Sequence, residues 1–165
     1  MARRGRRALI LGAAALLWQF GANMANGQVD ITARGPDGLP GIFWLINQRN
    51  QAAVGAGLDA GGDIEVPGFH RATPVLTAAQ IDDWPMVLFL LDRGARMDVY
   101  DRNGFTLAWL STTSRVAPDG IFGPALQETR NRLAAAGLLS QVHDPAAMRA
   151  MLADGRLPQP PGPRP

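Results

Sequence analysis

The chain has 165 residues, of which 47% are hydrophobic, which suffices for one small domain with a modest core and segments at its ends. All 16 basic residues are arginine, and without the four within residues 1–7 the balance against 14 acidic residues is about −2. This balance excludes a basic nucleic-acid-binding surface over the bulk of the chain. The absence of cysteine excludes disulfides, thiol nucleophiles and cysteine-based metal sites.

Residues 1–27 predict an export signal. Arginines within 3–7 precede an apolar run over 8–18, which is too short to span comfortably a bilayer core of roughly 30 Å. Small residues before Gln28 indicate cleavage there, an uncleaved inner-membrane anchor is the alternative, and Arg6-Arg7 leaves the twin-arginine route open beside general export. We therefore expect a periplasmic protein, and its lysine-free composition is typical of a GC-rich bacterial genome.

Residues 28–37 predict a short linker, and Gly38 begins the first structured unit. An apolar helix follows over 42–48. We expect its aromatic pair, Phe43 and Trp44, to lie in the core under cover of the linker, and an exposed contact surface is the alternative.

Residues 73–98 predict two short antiparallel helices and an exit turn. Thr73 is a good N-cap residue, and the proline after it fits the first helical position. Asp83 is the expected cap of the second helix, and Gly94 supplies the left-handed residue that ends it.

One spacing, of about 33 residues, recurs along the chain and lies in the range of periods that indicate repeat proteins. We call this spacing the repeat interval. It separates Gly61 from Gly94, and it also separates Thr73 from Thr106. Three units follow from it, at about 38–65, 71–98 and 104–138.

The segment 73–98 resembles one ankyrin repeat. It has Thr-Pro, then Ala-Ala, then Val-x-x-Leu-Leu-x-x-Gly-Ala in one register without a gap. The resemblance implies an all-α stack of helix–turn–helix units with projecting β-turn fingers, and a role in protein binding. Leu76 and Trp109 stand where ankyrin repeats commonly carry a histidine, so we expect apolar packing to replace the hydrogen bonds of that histidine.

The end of the chain departs from the repeat. About ten residues are inserted at 114–124, where Pro-Asp-Gly predicts a loop, and a second helix follows over 124–136. A capping helix is predicted over 144–154, which completes a repeat domain of 38–155. Residues 156–165 are proline-rich and predict a disordered tail.

The resemblance also implies where a partner binds, because ankyrin stacks use finger tips and the inner face of the first helices. By position, the candidate binding residues are Phe69, His70, Tyr100, Arg102 and Phe105. Aromatic and arginine residues are the types enriched at interface hot spots. The alternative is ordinary surface placement or, for Phe105, packing against the neighbouring finger.

Known catalytic and metal-binding motifs are missing from the sequence. His70 and His143 lie far apart in unrelated contexts, and the acidic run 98–104 lacks the downstream glutamate of a calcium loop. We therefore expect a non-enzymatic monomer that binds an unidentified partner protein. It is expected to have no catalytic residues, to bind no cofactor, metal or nucleic acid, and to contact the membrane only through an uncleaved N-terminal segment. An inhibitor or immunity factor fits the same physics, and a small envelope enzyme with its site near the loop 114–124 is the alternative of another class.

Overall fold

The computed structural model describes residues 30–35 and 37–157. Within these residues the chain forms seven α-helices and no β-strand, so the all-α prediction is confirmed. The helices are α1 (Gly41–Asn47), α2 (Gln51–Asp59), α3 (Pro74–Gln80), α4 (Trp84–Asp92), α5 (Leu107–Thr113), α6 (Gly123–Ala135) and α7 (Pro145–Ala153).

The predicted export signal at 1–27 lies outside the described residues, as does most of the predicted tail. In the part of the chain that is described, no helix has both the length and the apolar character needed to cross a membrane.

Short turns with the same chemistry join α1 to α2 and α3 to α4. The side chains of Asn50 and Asp83, one repeat interval apart, each accept a backbone N–H from the first turn of the helix that follows, at 3.0 and 3.3 Å. These bonds satisfy N–H groups that have no partner inside the helix. The preceding residues, Arg49 and Asp82, are both left-handed, with φ of 55° and 54°. The two helices predicted within 73–98 are therefore present as α3 and α4.

The helices α2, α4 and α6, which are the second helices of the three predicted units, each end near a left-handed glycine. Gly61, Gly94 and Gly137 have φ of 95°, 90° and 75°. In each case the N–H of the next residue donates to the carbonyl five residues before it, at 2.9 to 3.1 Å. Gly94 follows Gly61 by one repeat interval, but Gly137 follows Gly94 by a longer one, and the additional residues form the loop 114–122 and an extra turn at the start of α6.

The helices pack as three consecutive pairs. Each of α1, α3 and α5 packs on the helix that follows it, α3 lies between α1 and α5, and α4 packs on α6. The largest fully buried side chains come from all three pairs: Ile42, Phe43, Ile46, Val54, Val75, Leu76, Trp84, Met86, Val87, Leu90, Leu107 and Leu133. One continuous core therefore runs through the pairs.

The segment before α1 covers the open edge of the first pair. Ile31 is 3% exposed and lies against Gly57 and Gly62, where any Cβ atom would collide with its side chain. Phe43 is buried, and Trp44 is partly exposed with its indole N–H bound to a carboxylate of the same segment. The expected core position is thus confirmed for Phe43, where Gly68 lies against the ring, but not for Trp44, and Gly57 of α2 makes room for Ile31 of the linker.

The inserted loop is tied to the two preceding units. The Ser114 hydroxyl donates to Oδ1 of Asp82 at 2.6 Å. At the other end of the loop, the guanidinium carbon of Arg49 lies 5.0 Å from the ring centroid of Phe122. Residues 114–122 contain no helix, as the Pro-Asp-Gly sequence indicated.

Candidate functional site

Three turns of the same form precede α1, α3 and α5. We call them finger 1 (residues 34–40), finger 2 (67–73) and finger 3 (100–106). In each finger the N–H of the second residue donates to the carbonyl of the sixth, at 2.7, 2.8 and 3.1 Å. The N–H of the fifth residue donates to the carbonyl of the second, at 2.9, 3.1 and 3.0 Å. The fingers therefore share these two backbone hydrogen bonds, and they follow one another at the repeat interval.

The fifth residue of every finger is left-handed, but only two fingers have glycine there. Gly38 and Gly104 have φ of 77° and 84°, and Arg71 takes the same position in finger 2 with φ of 63°. His70, just before it, is also left-handed, with φ of 50°. Because side chains disfavour this region, finger 2 stores backbone strain next to its tip.

Three of the five predicted binding residues lie at finger tips. Phe69 is 62% exposed, and His70 and Arg102 are also exposed. The backbone N–H of Arg102 donates to the carbonyl of His70 at 2.7 Å, which joins the tip of finger 3 to that of finger 2. These three residues therefore form one patch.

The other two predicted residues lie at the base of finger 3 and are partly buried. Tyr100 forms an isolated antiparallel bridge with Thr106, and burial raises the pKa of its hydroxyl. The N–H of Phe105 donates to the Asp101 carboxylate at 2.9 Å. Tyr100 and Phe105 therefore support the finger, and the exposed patch lies above them.

A cleft of about 150 Å³ lies between the fingers and the helices α1 and α3. Phe69 and His70 line it, together with six polar residues that sequence reasoning missed: Asp37, Asn47, Thr77, Gln80, Asp101 and Asn103. The sequence carries a signal for four of them, because 37 and 103 share one finger position with 70, and 47 and 80 share one helix position, each set spaced by the repeat interval.

Asp101 is the buried acid of this cleft, with 1% of its surface exposed. Its carboxylate accepts the N–H of Phe105 at 2.9 Å and the Nε2–H of Gln80 at 3.3 Å. Burial raises the pKa of Asp101, and these bonds and an attraction to His70 partly offset the rise. A negative charge is thus held at the cleft with little access to water.

The helix α7 lies against finger 3. A Cβ atom on Gly104 would collide with the carbonyl of Pro145 and lie 3.0 Å from Cβ of Met148. The guanidinium of Arg149 donates to the carbonyl of Asn103 at 2.7 Å. The helix predicted over 144–154 is therefore present as α7, and it contacts finger 3.

Within the described residues, no group of three or more His, Cys, Asp or Glu residues could hold a metal ion. Comparison of the chain with protein-family models, with curated proteins and with solved structures finds no match.

Proposed function

We propose that the chain is an ankyrin-type repeat protein that binds a partner protein through its finger tips and the adjoining cleft. Support comes from three features that recur at the repeat interval: the capped turns inside the pairs, the glycines that end the second helices, and the fingers. The side-by-side packing of α1, α3 and α5 agrees with a stack of repeats.

The observation that carries the proposal is the exposure of Phe69. A side chain of this size that is 62% exposed at a finger tip leaves apolar surface in water. The backbone beside it is strained and is joined to finger 3 by the hydrogen bond from Arg102 to His70, so the ring is held on a defined backbone. Such aromatic anchors are typical of interface hot spots.

The size of the cleft favours a protein partner over a small-molecule substrate. Pockets for small molecules usually enclose roughly 300–1,000 Å³, and this cleft encloses about 150 Å³. A cleft of that size fits one side chain of a partner, which agrees with a non-enzymatic role.

Export is part of the same proposal, because residues 1–27 have arginines first, then an apolar run and then small residues, as export signals do. The protein would then meet its partner in the periplasm or, if the segment is not cleaved, at the inner membrane. Its target is expected among envelope proteins.

Affinity capture from a bacterial envelope extract tests the proposal. The full chain is the bait, and Phe69→Ala removes the exposed ring. Ile121→Ala is the matched control because Ile121, at 89%, is the other large exposed hydrophobic residue among those that the structure describes. We expect a protein that the parent and Ile121→Ala retain and Phe69→Ala loses. Retention by all three variants would show that the finger tips are not the binding surface.

A further inference from the structure

The charged lining of the cleft includes two carboxylates, those of Asp37 and Asp101, which act as acceptors when ionised. The amides of Asn47, Gln80 and Asn103 can both accept and donate hydrogen bonds. None of the described residues that line the cleft is an arginine. The lining therefore favours a ligand that donates hydrogen bonds and carries positive charge.

Asp37 is held in a fixed orientation by its own finger and helix. Oδ1 accepts the backbone N–H of Leu39 at 3.0 Å, and Oδ2 accepts the indole N–H of Trp44 at 3.1 Å. The residue is exposed, and each carboxylate oxygen can accept a further bond. Its carboxylate is thus preorganised at the mouth of the cleft.

Asp101 also lines the cleft, and only 1% of its surface is exposed. Its charge is stabilised only by neutral donors and by the attraction to His70. A cation that entered the cleft would offset the cost of burying this carboxylate, since a buried charge is stable when it is paired.

Two arginines beside the fingers donate to backbone carbonyls rather than to the carboxylates of the cleft. Arg34 donates to the carbonyl of Gly38, and Arg149 donates to the carbonyl of Asn103. The rings of Phe43 and Phe69 add aromatic surface to the lining, which suits a cation and the methylene groups that carry it.

We propose that the cleft is a socket for one arginine or lysine side chain of the partner protein. This inference rests on the proposed function, because it names the chemistry of the partner at the same surface. The partner's basic side chain would lie between Asp37 and Asp101, with Phe69 against the neighbouring part of the partner.

Selection of binders from a random peptide library on the full chain tests the socket. We expect the selected peptides to share an arginine or lysine at one position. Replacing that residue by citrulline or norleucine, which match its shape without its charge, should weaken binding at least about tenfold. Asp37→Asn should weaken binding of the parent peptide by a similar factor, and Asp119→Asn, an exposed acid of the inserted loop, should leave it unchanged.

The outcomes separate the socket from the proposed function. Peptides that lose binding to Phe69→Ala but share no basic residue, or that tolerate the neutral replacement, would overturn the socket and leave the binding surface standing. Peptides that bind Phe69→Ala as well as the parent would overturn the proposed surface itself. The change on the peptide side needs no protein variant, so a misfolded Asp37→Asn protein would not prevent a decision.

Discussion

Thr73 and Thr106 occupy the same position in successive units, one repeat interval apart, but only Thr106 caps a helix with its hydroxyl. Oγ1 of Thr106 accepts the N–H of Trp109 at 3.0 Å. The Thr73 hydroxyl has no hydrogen-bond partner, although the residue is only 2% exposed. Leu76, three residues further on, has no polar side-chain atom that could bind this hydroxyl.

The substitution of threonine by valine is therefore expected to act in opposite directions at these two positions. Thr73→Val removes an unsatisfied buried hydroxyl and should raise the free energy of unfolding by about 1 kcal/mol. Thr106→Val removes a cap and should lower it by about 1 kcal/mol. Urea unfolding of the two variants checks this, and a loss of stability in both would show that the Thr73 hydroxyl has a partner in solution.

A second prediction concerns the two finger glycines. Gly38→Ala should lower the free energy of unfolding by about 1 kcal/mol, because φ is positive at this residue. No collision adds to this cost, since nothing lies within 4 Å of the new methyl group. Gly104→Ala has the same strain and also collides with α7, so it should cost about 1–3 kcal/mol more. Thermal unfolding of both variants measures the difference.

A chain that ends at residue 143 supplies the control for this comparison, because it lacks α7. There, the two alanine substitutions should cost about the same. If Gly104→Ala stays the more damaging of the two, the close approach of α7 is not the cause.

The regular part of the fold could be predicted from the sequence because its turn chemistry is local. Asp83 and Gly94 each act within a few residues, as a cap and as a left-handed stop, and both do so where the sequence placed them. The insertion follows from the same logic, because the spacing between Gly94 and Gly137 exceeds the repeat interval.

The candidate site was less predictable because exposure depends on contacts between units. Phe69 and Arg102 share one finger position and both are exposed, but Tyr100 and Phe105 are covered at the base of their finger. The role of Asp101 was missed, since a carboxylate that looks solvated in sequence becomes buried only when Gln80 of the preceding unit lies over it.

A third prediction tests the strain in finger 2, where Arg71 takes the left-handed position of a glycine. Arg71→Ala removes the contacts of the side chain and keeps the strain, whereas Arg71→Gly removes both. We expect the glycine variant to be more stable than the alanine variant by about 1 kcal/mol, although glycine normally destabilises relative to alanine. Unfolding curves that place alanine above glycine would show that the turn relaxes in solution.

The fourth prediction uses the buried carboxylate of Asp101. Its pKa is raised in the folded state, so between its unfolded and folded pKa values the native chain binds more protons than the unfolded chain. The stability of the parent relative to Asp101→Asn should therefore be highest in acid and fall as the pH rises above about 4. Asparagine keeps an acceptor for the N–H of Phe105 but loses the one that faces Gln80, so the change of the difference with pH, and not its size, reports the charge.

The difference in unfolding free energy between the parent and Asp101→Asn is needed because other acids of the chain make the stability change with pH in the opposite direction. Hydrogen bonds from arginines lower the pKa values of Asp59, Asp98 and Glu128, so the absolute stability of both proteins should fall as the pH drops through the range where these groups titrate. These exposed pairs are common to the parent and the variant, and they cancel in the difference. Urea unfolding at pH 3, 5 and 7 gives that difference, and a value that is constant or grows with pH would show that Asp101 is hydrated in the folded protein. In that case the carboxylate would not be destabilised by burial, and a cation from a partner would stabilise it little.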